Sequence, residues 1–435
     1  LPTLERTILV RYIDEKANNI NLKQATNFDE IVNNKETKEL IFERFKFNDP
    51  LYILFSSGTT GVPKCIVHGA GGTLIQHKKE HNLHCDIKEG ERVFYFSTCG
   101  WMMWNWLISG LASGATLMLY DGSPVLKNNE SILFDYAEQE KFNVMGISAK
   151  FIDACRKLDL NPMNSHNLSS MRMMLSTGSV LSSDCFDYVY EKIKNSVCLS
   201  SISGGTDIVS CFVLGSNILP VYRGELQTRG LGMSVEVWDE SESPVKGRKG
   251  ELVCTKTFPS KPVMFWDDKD MKKYSNSYFS RYPNVWCHGD YVKLMDNEGM
   301  IFYGRSDTTL NRGGIRIGTA EIYRQVELLN EVLESIVVEQ NLEDDSRIIL
   351  FVKLEKEKQL SSTLKEKIVN QIRINTTPRH VPDLILQVSD IPRTKSGKIV
   401  ELAVQKAINN EPIDNKTALE NPEVLGEYSN HKELQ

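Results

Sequence analysis

The sequence predicts an α/β protein: a large multilayer domain with mixed β-sheets and helices, followed by a small C-terminal α+β domain. Three observations carry this prediction. Short apolar runs without alternation recur between segments of helical spacing, as in parallel strands covered on both faces. From Gly224 the texture changes to paired runs around turn-rich stretches, as in antiparallel hairpins. After Asp307 helix and strand patterns alternate again over about 130 residues, a domain-sized stretch.

Taken in order, 7–12 reads as a buried strand, followed by a polar, Asn- and Lys-rich segment to about Glu43. Residues 51–55 are continuously apolar and read as a strand covered on both faces. That strand breaks at a Ser/Thr/Gly loop, and 65–68 reads as a second short strand. Further buried strands are expected at 92–96, 115–120 and 171–175, with helices over 132–140 and 185–193. Hairpins are expected from 235–238 with 251–254, and from 291–294 with 300–303. Beyond Asp307, Ile322, Val326, Leu329 and Leu333 share helical spacing; 348–352 reads as a strand, Leu364, Ile368 and Ile372 as a helix, and 384–388 as a strand. Residues 410–435 are polar and read as a surface tail.

Composition narrows the function. The 435 residues are 41% apolar and 25% charged, ordinary for folded chains. A net charge of −6 argues against a nucleic-acid binder, which needs a basic face. No apolar stretch approaches the roughly 20 residues that span a bilayer, so no membrane span is expected. No charged-then-apolar leader opens the chain, and its first residue is Leu1, which fits a fragment or processed chain. Nine cysteines contain no C-x-x-C pair. Reduced thiols in the cytosol are therefore expected, rather than disulfides or structural zinc.

Four segments carry candidate chemistry. Ser56, Ser57, Gly58, Thr59, Thr60, Gly61 and Lys64 combine turning glycines, hydroxyl donors and a terminal cation, which suits phosphate oxygens. The spacing is not that of a Walker A loop, and a flexible hairpin turn is the plain alternative. His288-Gly-Asp290 precedes a predicted strand. Its carboxylate suits ribose hydroxyls, or caps a local turn. Arg305, Asp307, Asn311, Gly313, Gly314 and Arg316 lie in Gly/Arg-rich stretches that fit either phosphate recognition or a domain linker. Residues 392–398 form a basic loop ending in Lys398, which on its own reads as a solvated turn or modification site.

Two further patterns point elsewhere. His77-Lys-Lys-Glu-His81 fits a zinc-peptidase motif. Its surroundings, 76–89, are almost wholly polar, so no apolar face is expected to bury such a helix, and zinc hydrolysis is disfavoured. Trp101, Trp104 and Trp106 fit a core or pocket wall better than a stacking platform.

In this order, 55–64, Gly204-Gly205-Thr206-Asp207, His288–Asp290, 303–307 and 392–398 resemble the adenylate-forming superfamily of acyl-CoA synthetases, luciferases and peptide-synthetase adenylation domains. Within it, 176–180, 201–207, 318–322 and 420–424 resemble the acetoacetyl-CoA synthetases. The resemblance implies a large AMP-binding domain over 1–306 whose N-terminal part is missing, a small mobile domain over 307–409 swinging about Asp307, and a tail over 410–435. It implies an acid–thiol ligase that makes acetoacetyl-CoA, AMP and diphosphate from acetoacetate, ATP and CoA through an acyl-adenylate, feeding ketone-body carbon into lipid synthesis. Under it, the 56–64 loop holds the β- and γ-phosphates and Thr206 reaches the α-phosphate. Asp207 stands where Glu usually accompanies Mg2+, directly or through water. Gly178, Ser179, Ser201 and Gly205 match nucleotide-contacting stretches, and Asp290 and Arg305 match ribose contacts. Asn311 and Arg316 lie near the α-phosphate and the CoA face, and Gly313 and Gly314 face CoA. Lys398 matches the catalytic lysine, so acetylation and deacetylation enzymes are expected partners. Trp101, Met102, Met103 and Gly204 would line the acyl pocket, with Gly204 in place of a closing tryptophan. The alternatives are a propionate/butyrate or medium-chain ligase, and a truncated, non-catalytic nucleotide-binding relative.

Overall fold

A computed structural model describes residues 3–12, 24–33, 39–56, 64–312, 315–342, 346–394, 397–413 and 416–434. Leu1–Phe45 form one compact unit and Lys46–Gln435 another. In the first, Thr7–Leu9 pairs in parallel with Ala25–Asn27, ahead of a helix over Phe28–Asn33. The expected buried strand at 7–12 is corrected. Only three of its residues are extended, and Ile8 and Tyr12 are 56% and 72% exposed. One short partner strand covers too little of it to bury those side chains.

The centre of the second unit is a five-stranded parallel sheet in the order Thr116–Met118, Arg92–Tyr95, Val144–Ser148, Met173–Thr177, Cys198–Ser201. Successive side chains point to opposite faces, and both faces are apolar. Phe94, Met145, Met174 and Leu199 pack under the helices Ile132–Gln139, Ala149–Lys157 and Ser183–Tyr188. Val93, Tyr95, Val144, Met173 and Leu175 pack under Met102–Ser109. This double cover explains the unbroken apolar runs. Ser148 and Ser182 cap two of the helices by accepting from the Phe151 and Cys185 amides. The helix predicted to reach Ile193 does so, with its last five residues wound as a wider π turn.

Pro50–Phe55, Cys65–Gly69 and Met264–Phe265 form a small antiparallel sheet. The expectation that 51–55 is covered on both faces is corrected, because Leu51 and Phe55 are exposed. Val235–Trp238, Lys249–Cys254, Trp286–Leu294 and Met300–Arg305 build the expected antiparallel sheet. Trp286–Leu294 begins five residues earlier than the sequence suggested, and its burial alternates strictly. His288 and Asp290 therefore share the inward face with Trp286 instead of preceding the strand.

Toward the C-terminus, Thr319–Val326 is a helix, but Leu333 lies in a ten-residue strand, Val332–Asn341. That strand pairs antiparallel with Ser346–Leu354, which pairs in parallel with Leu384–Gln387. Helical spacing through Leu333 was accidental: Ile336 and Val338 face one core while Val337 faces another. The surface tail is also corrected. Leu419, Leu425 and Tyr428 are buried beside Phe351, and the Tyr428 hydroxyl donates to the Asp390 carbonyl at 2.7 Å. Three buried apolar residues in a polar stretch suffice to dock it.

Candidate active site

The site forms where strand ends meet, at the C-terminal edge of the parallel sheet, the usual ligand edge of such sheets. Gly178, in the left-handed region at φ 96°, and Ser179 follow the strand that ends at Thr177. Ser201 ends the neighbouring strand and pairs with Ser176. The Thr177 hydroxyl donates to the Ile202 carbonyl at 2.9 Å and ties the two ends together.

Thr206 and Asp207 follow the strand Ser203–Gly205. Lys64 reaches Asp207 from 143 residues away, with Nζ 3.0 Å from Oδ1. The Lys64 amide donates to Ser56 Oγ at 2.9 Å, closing the mouth of the predicted phosphate loop. Ser57, Gly58, Thr59, Thr60 and Gly61 lie outside the described residues, as do Gly313 and Gly314. The Tyr278 hydroxyl donates to the same Asp207 oxygen at 2.6 Å. Burial alone would raise the Asp207 carboxyl. The Lys64 and His288 charges and the Tyr278 hydrogen bond outweigh it and hold the group well below the usual carboxylate range. His68 Nε2 donates to the Thr206 carbonyl at 3.0 Å.

Asp290 meets Arg305 in backbone register and through its carboxylate, Oδ1 to Nη1 at 3.2 Å. Arg305 also lies 3.4 Å from Asp307 and donates to the His288 carbonyl at 2.9 Å. Burial works against the Arg305 charge, and Asp290 and Asp307 more than restore it. Gly289, at φ 81°, leaves no room for a side chain beside that guanidinium. Lys398 enters the same field. Burial pushes its ammonium below the usual lysine range, while Asp207 and Asp290 oppose that shift and Arg305 adds to it. Its loop is braced from behind. The Lys398 amide donates to Thr394 Oγ1 at 3.1 Å, the Glu420 amide to the Arg393 carbonyl at 2.8 Å, and the Arg393 amide to Asn421 Oδ1 at 2.9 Å.

Other predicted residues lie apart from this cluster. Arg316 stacks over Tyr291 at 4.8 Å, donates to the Ser306 carbonyl at 2.9 Å, and is 4.0 Å from buried Glu251. Together with Lys249 and Arg281 it lines a separate cleft of about 370 Å³. Asn311 is exposed, and its amide donates to Glu339 at 2.9 Å. Met102 and Met103 are core residues, whereas Trp101 is half-buried and approaches Gly178. The space a side chain at Gly204 would enter is filled by the Ser210–Cys211 backbone. The glycine there permits close strand packing and leaves no void.

The zinc-like motif proves to be structural, and the expectation of an unburied helix is corrected. Gln76, His77, Glu80, His81 and His84 are all buried. His77 meets the Val209 carbonyl at 2.6 Å, and His84 meets the Gly215 carbonyl at 2.8 Å. Trp106 donates to Glu80 at 2.9 Å. Among the described residues no three His, Cys, Asp or Glu side chains form a metal-holding group. No helix there is long and apolar enough to cross a membrane. Sequence reasoning missed Tyr278, His68 and Glu251. Only the aromatic spacing of Tyr274 and Tyr278 hinted at the first.

A lysine–aspartate pair, an Asp–Arg–Asp string and a distant lysine gather around the sheet edge. Residues 4–260 match the AMP-binding enzyme family, and the chain belongs to that family. It is 60% identical over 395 residues to an acetoacetyl-coenzyme A synthetase of Rhizobium meliloti (strain 1021), covering 91% of this chain and 61% of that protein. It is 44% identical to the acetoacetyl-CoA synthetase of Gallus gallus, covering 100% of this chain and 66% of that protein. A solved acetoacetyl-CoA synthetase from Streptomyces lividans superposes with a TM-score of 0.91 at 38% identity, over 99% of this chain and 65% of that one. The chain thus spans just under two thirds of the length of these relatives.

Proposed function

We propose that this chain carries the nucleotide-handling part of an ATP-dependent acid–thiol ligase. It joins acetoacetate to CoA through an acyl-adenylate and releases AMP and diphosphate. The observation that supports the reading best is the convergence of Lys64, Asp207, Asp290, Arg305 and Lys398, drawn from sequence positions more than 300 residues apart, around one sheet edge.

The first step drives a carboxylate onto a phosphate, so two anions must meet. Fixed cations and donors lower that barrier because they need no reorganisation as charge builds. Lys64, with the 56–61 loop, holds the outer phosphates; Thr206 holds the α-phosphate. Lys398 neutralises charge growing between the α-phosphate and the acid. Asp290, oriented by Arg305, takes the ribose hydroxyls, while Gly178, Ser179, Ser201 and Gly205 flank the base. Asp207 is held ionised, and both of its hydrogen bonds to Lys64 and Tyr278 fall on Oδ1. It therefore fits as a magnesium ligand, directly or through water. Bound magnesium would supply charge neutralisation to the triphosphate.

The small domain from 307 to 409 turns about Asp307 after the first step. It withdraws Lys398 and delivers Arg316, Asn311 and the 313–314 glycines to the CoA face. Acetylation of Lys398 removes its charge and halts the first step. Trp101, half-buried beside Gly178, borders the acyl pocket. Free cysteines throughout the described residues support a reducing, cytosolic setting.

ATP–diphosphate exchange with acetoacetate, butyrate and acetate tests the reading. Exchange is expected with acetoacetate foremost. Exchange with butyrate alone would move the assignment to another short-acid ligase, and none in a full-length protein would favour a nucleotide-binding relative.

A further inference from the structure

We infer that Tyr278 is a positioning residue for the lysine–aspartate pair at the nucleotide site, an inference that rests on the ligase reading above. Tyr278 is the last residue of the helix Lys272–Tyr278 and is buried. Its hydroxyl donates to Asp207 Oδ1 at 2.6 Å. Lys64 Nζ approaches that same oxygen at 3.0 Å and lies 4.8 Å from the centre of the Tyr278 ring. One side chain therefore touches both members of the pair, the carboxylate through its edge and the ammonium through its face.

The tyrosine is itself held in place. Its ring stacks on Trp286 at 3.7 Å and 15°, and meets Phe265 and Tyr274 edge-on at 5.7 and 5.4 Å. Trp286 begins the strand whose inward face also carries His288 and Asp290. The aromatic stack thus links the ribose-side strand to the phosphate-side pair. A carboxylate as short as Asp207 has two side-chain torsions to fix, and a neighbouring lysine is a flexible partner. A phenol locked by stacking supplies the direction that the lysine cannot. Tyr278 acts through Asp207 and Lys64; the structure assigns it no contact with the reacting atoms.

The test is a double-mutant cycle of Tyr278→Phe with Asp207→Ala, read by calorimetric binding of magnesium–ATP to the purified chain and, separately, by KM and kcat in exchange. Tyr278→Phe keeps the stack and removes only the hydroxyl. It is expected to weaken magnesium–ATP binding by about tenfold, as for loss of one hydrogen bond to a charged group. In the Asp207→Ala background the same change should cost less than about twofold. Binding within twofold of wild type for Tyr278→Phe, or losses that multiply in the double variant, overturns the inference while leaving the ligase reading intact. A wild-type chain that binds no ATP overturns both. Should Tyr278→Phe fail to fold, Asp207→Ala alone reads the coupling: it is expected to shift tryptophan emission through the Tyr278–Trp286 stack, and the shift should vanish in Trp286→Phe. An unchanged spectrum refutes the link.

Discussion

Trp106 donates its indole N–H to Glu80 Oε2 across 2.9 Å, in a place where both side chains are almost wholly removed from water. Glu80 also accepts from the Ser210 hydroxyl and from the Cys211 amide at 3.2 Å, and Lys79 Nζ stands 3.7 Å away. The glutamate therefore ties two helices to the strand Ser210–Leu214, which pairs with Gly205 beside the site. Removing a buried, fully engaged carboxylate strands its donors. Glu80→Ala is expected to lose about 3 kcal/mol of stability, and Glu80→Gln less. Denaturant midpoints of the two variants check this, and equal midpoints would refute it.

Buried histidines set an acid limit. Burial lowers His68 to about 4 and His81 to about 3. The unfolded chain takes up protons near pH 6.5, but the folded chain refuses them until much lower pH. Stability is then complete above about pH 6.5 and falls as pH drops toward 4, by on the order of 3 kcal/mol for His68 alone. Unfolding midpoints measured from pH 7.5 to 4.5 should decline, and the slope should shrink in His68→Gln.

Lys398→Gln is expected to lower exchange by at least a hundredfold, a typical cost for one preorganised charge. Transfer of preformed acyl-adenylate to CoA should change far less. Because burial lowers the Lys398 ammonium, the exchange rate should fall on the alkaline side before ordinary lysine titration near 10.4. In Lys398→Arg any residual exchange should lose that limb. A limb that persists in the arginine variant assigns the titration to another group.

Glu251 is 1% exposed and accepts from Arg281 Nη1 and Ser306 Oγ, both at 2.5 Å. It ties the four-stranded sheet to the residue before Asp307 and stands beside Arg316. Glu251→Gln should loosen this junction, seen as cleavage by trypsin within 305–316 at least about threefold faster. Unchanged cleavage argues that the tie is dispensable.

Tyr428→Ala removes a buried ring packed on Phe351. It should cost about 4 kcal/mol, and Tyr428→Phe about 1 kcal/mol for the lost hydroxyl bond. Thermal unfolding of both variants measures the difference.

Three strands of the parallel sheet were legible because both faces are covered, so runs such as Val93–Tyr95 and Met173–Leu175 are unbroken, whereas the strands Val144–Ser148 and Cys198–Ser201, shortened by glycine and serines, were missed. The Lys64, Asp290, Arg305 and Lys398 cluster was legible through motif order. Tyr278 was not, because its role comes from tertiary approach to a residue 71 positions away. The burial of 76–84 escaped because Gln76, His77, Glu80 and His84 find partners on backbone and side chains distant in sequence, which hydrophobic patterning cannot register. Leu333 misled because it stands four residues after Leu329 by coincidence: the helix ends at Val326, and Leu333 is half-buried in the strand that follows.

The bracing of the Lys398 turn by Glu420 and Asn421 makes the far C-terminal segment a stylus holder for that ammonium. Slack introduced there, by a nick or an insertion within 410–418, would loosen the placement of the upstream ammonium without touching Asp207, Asp290 or Arg305.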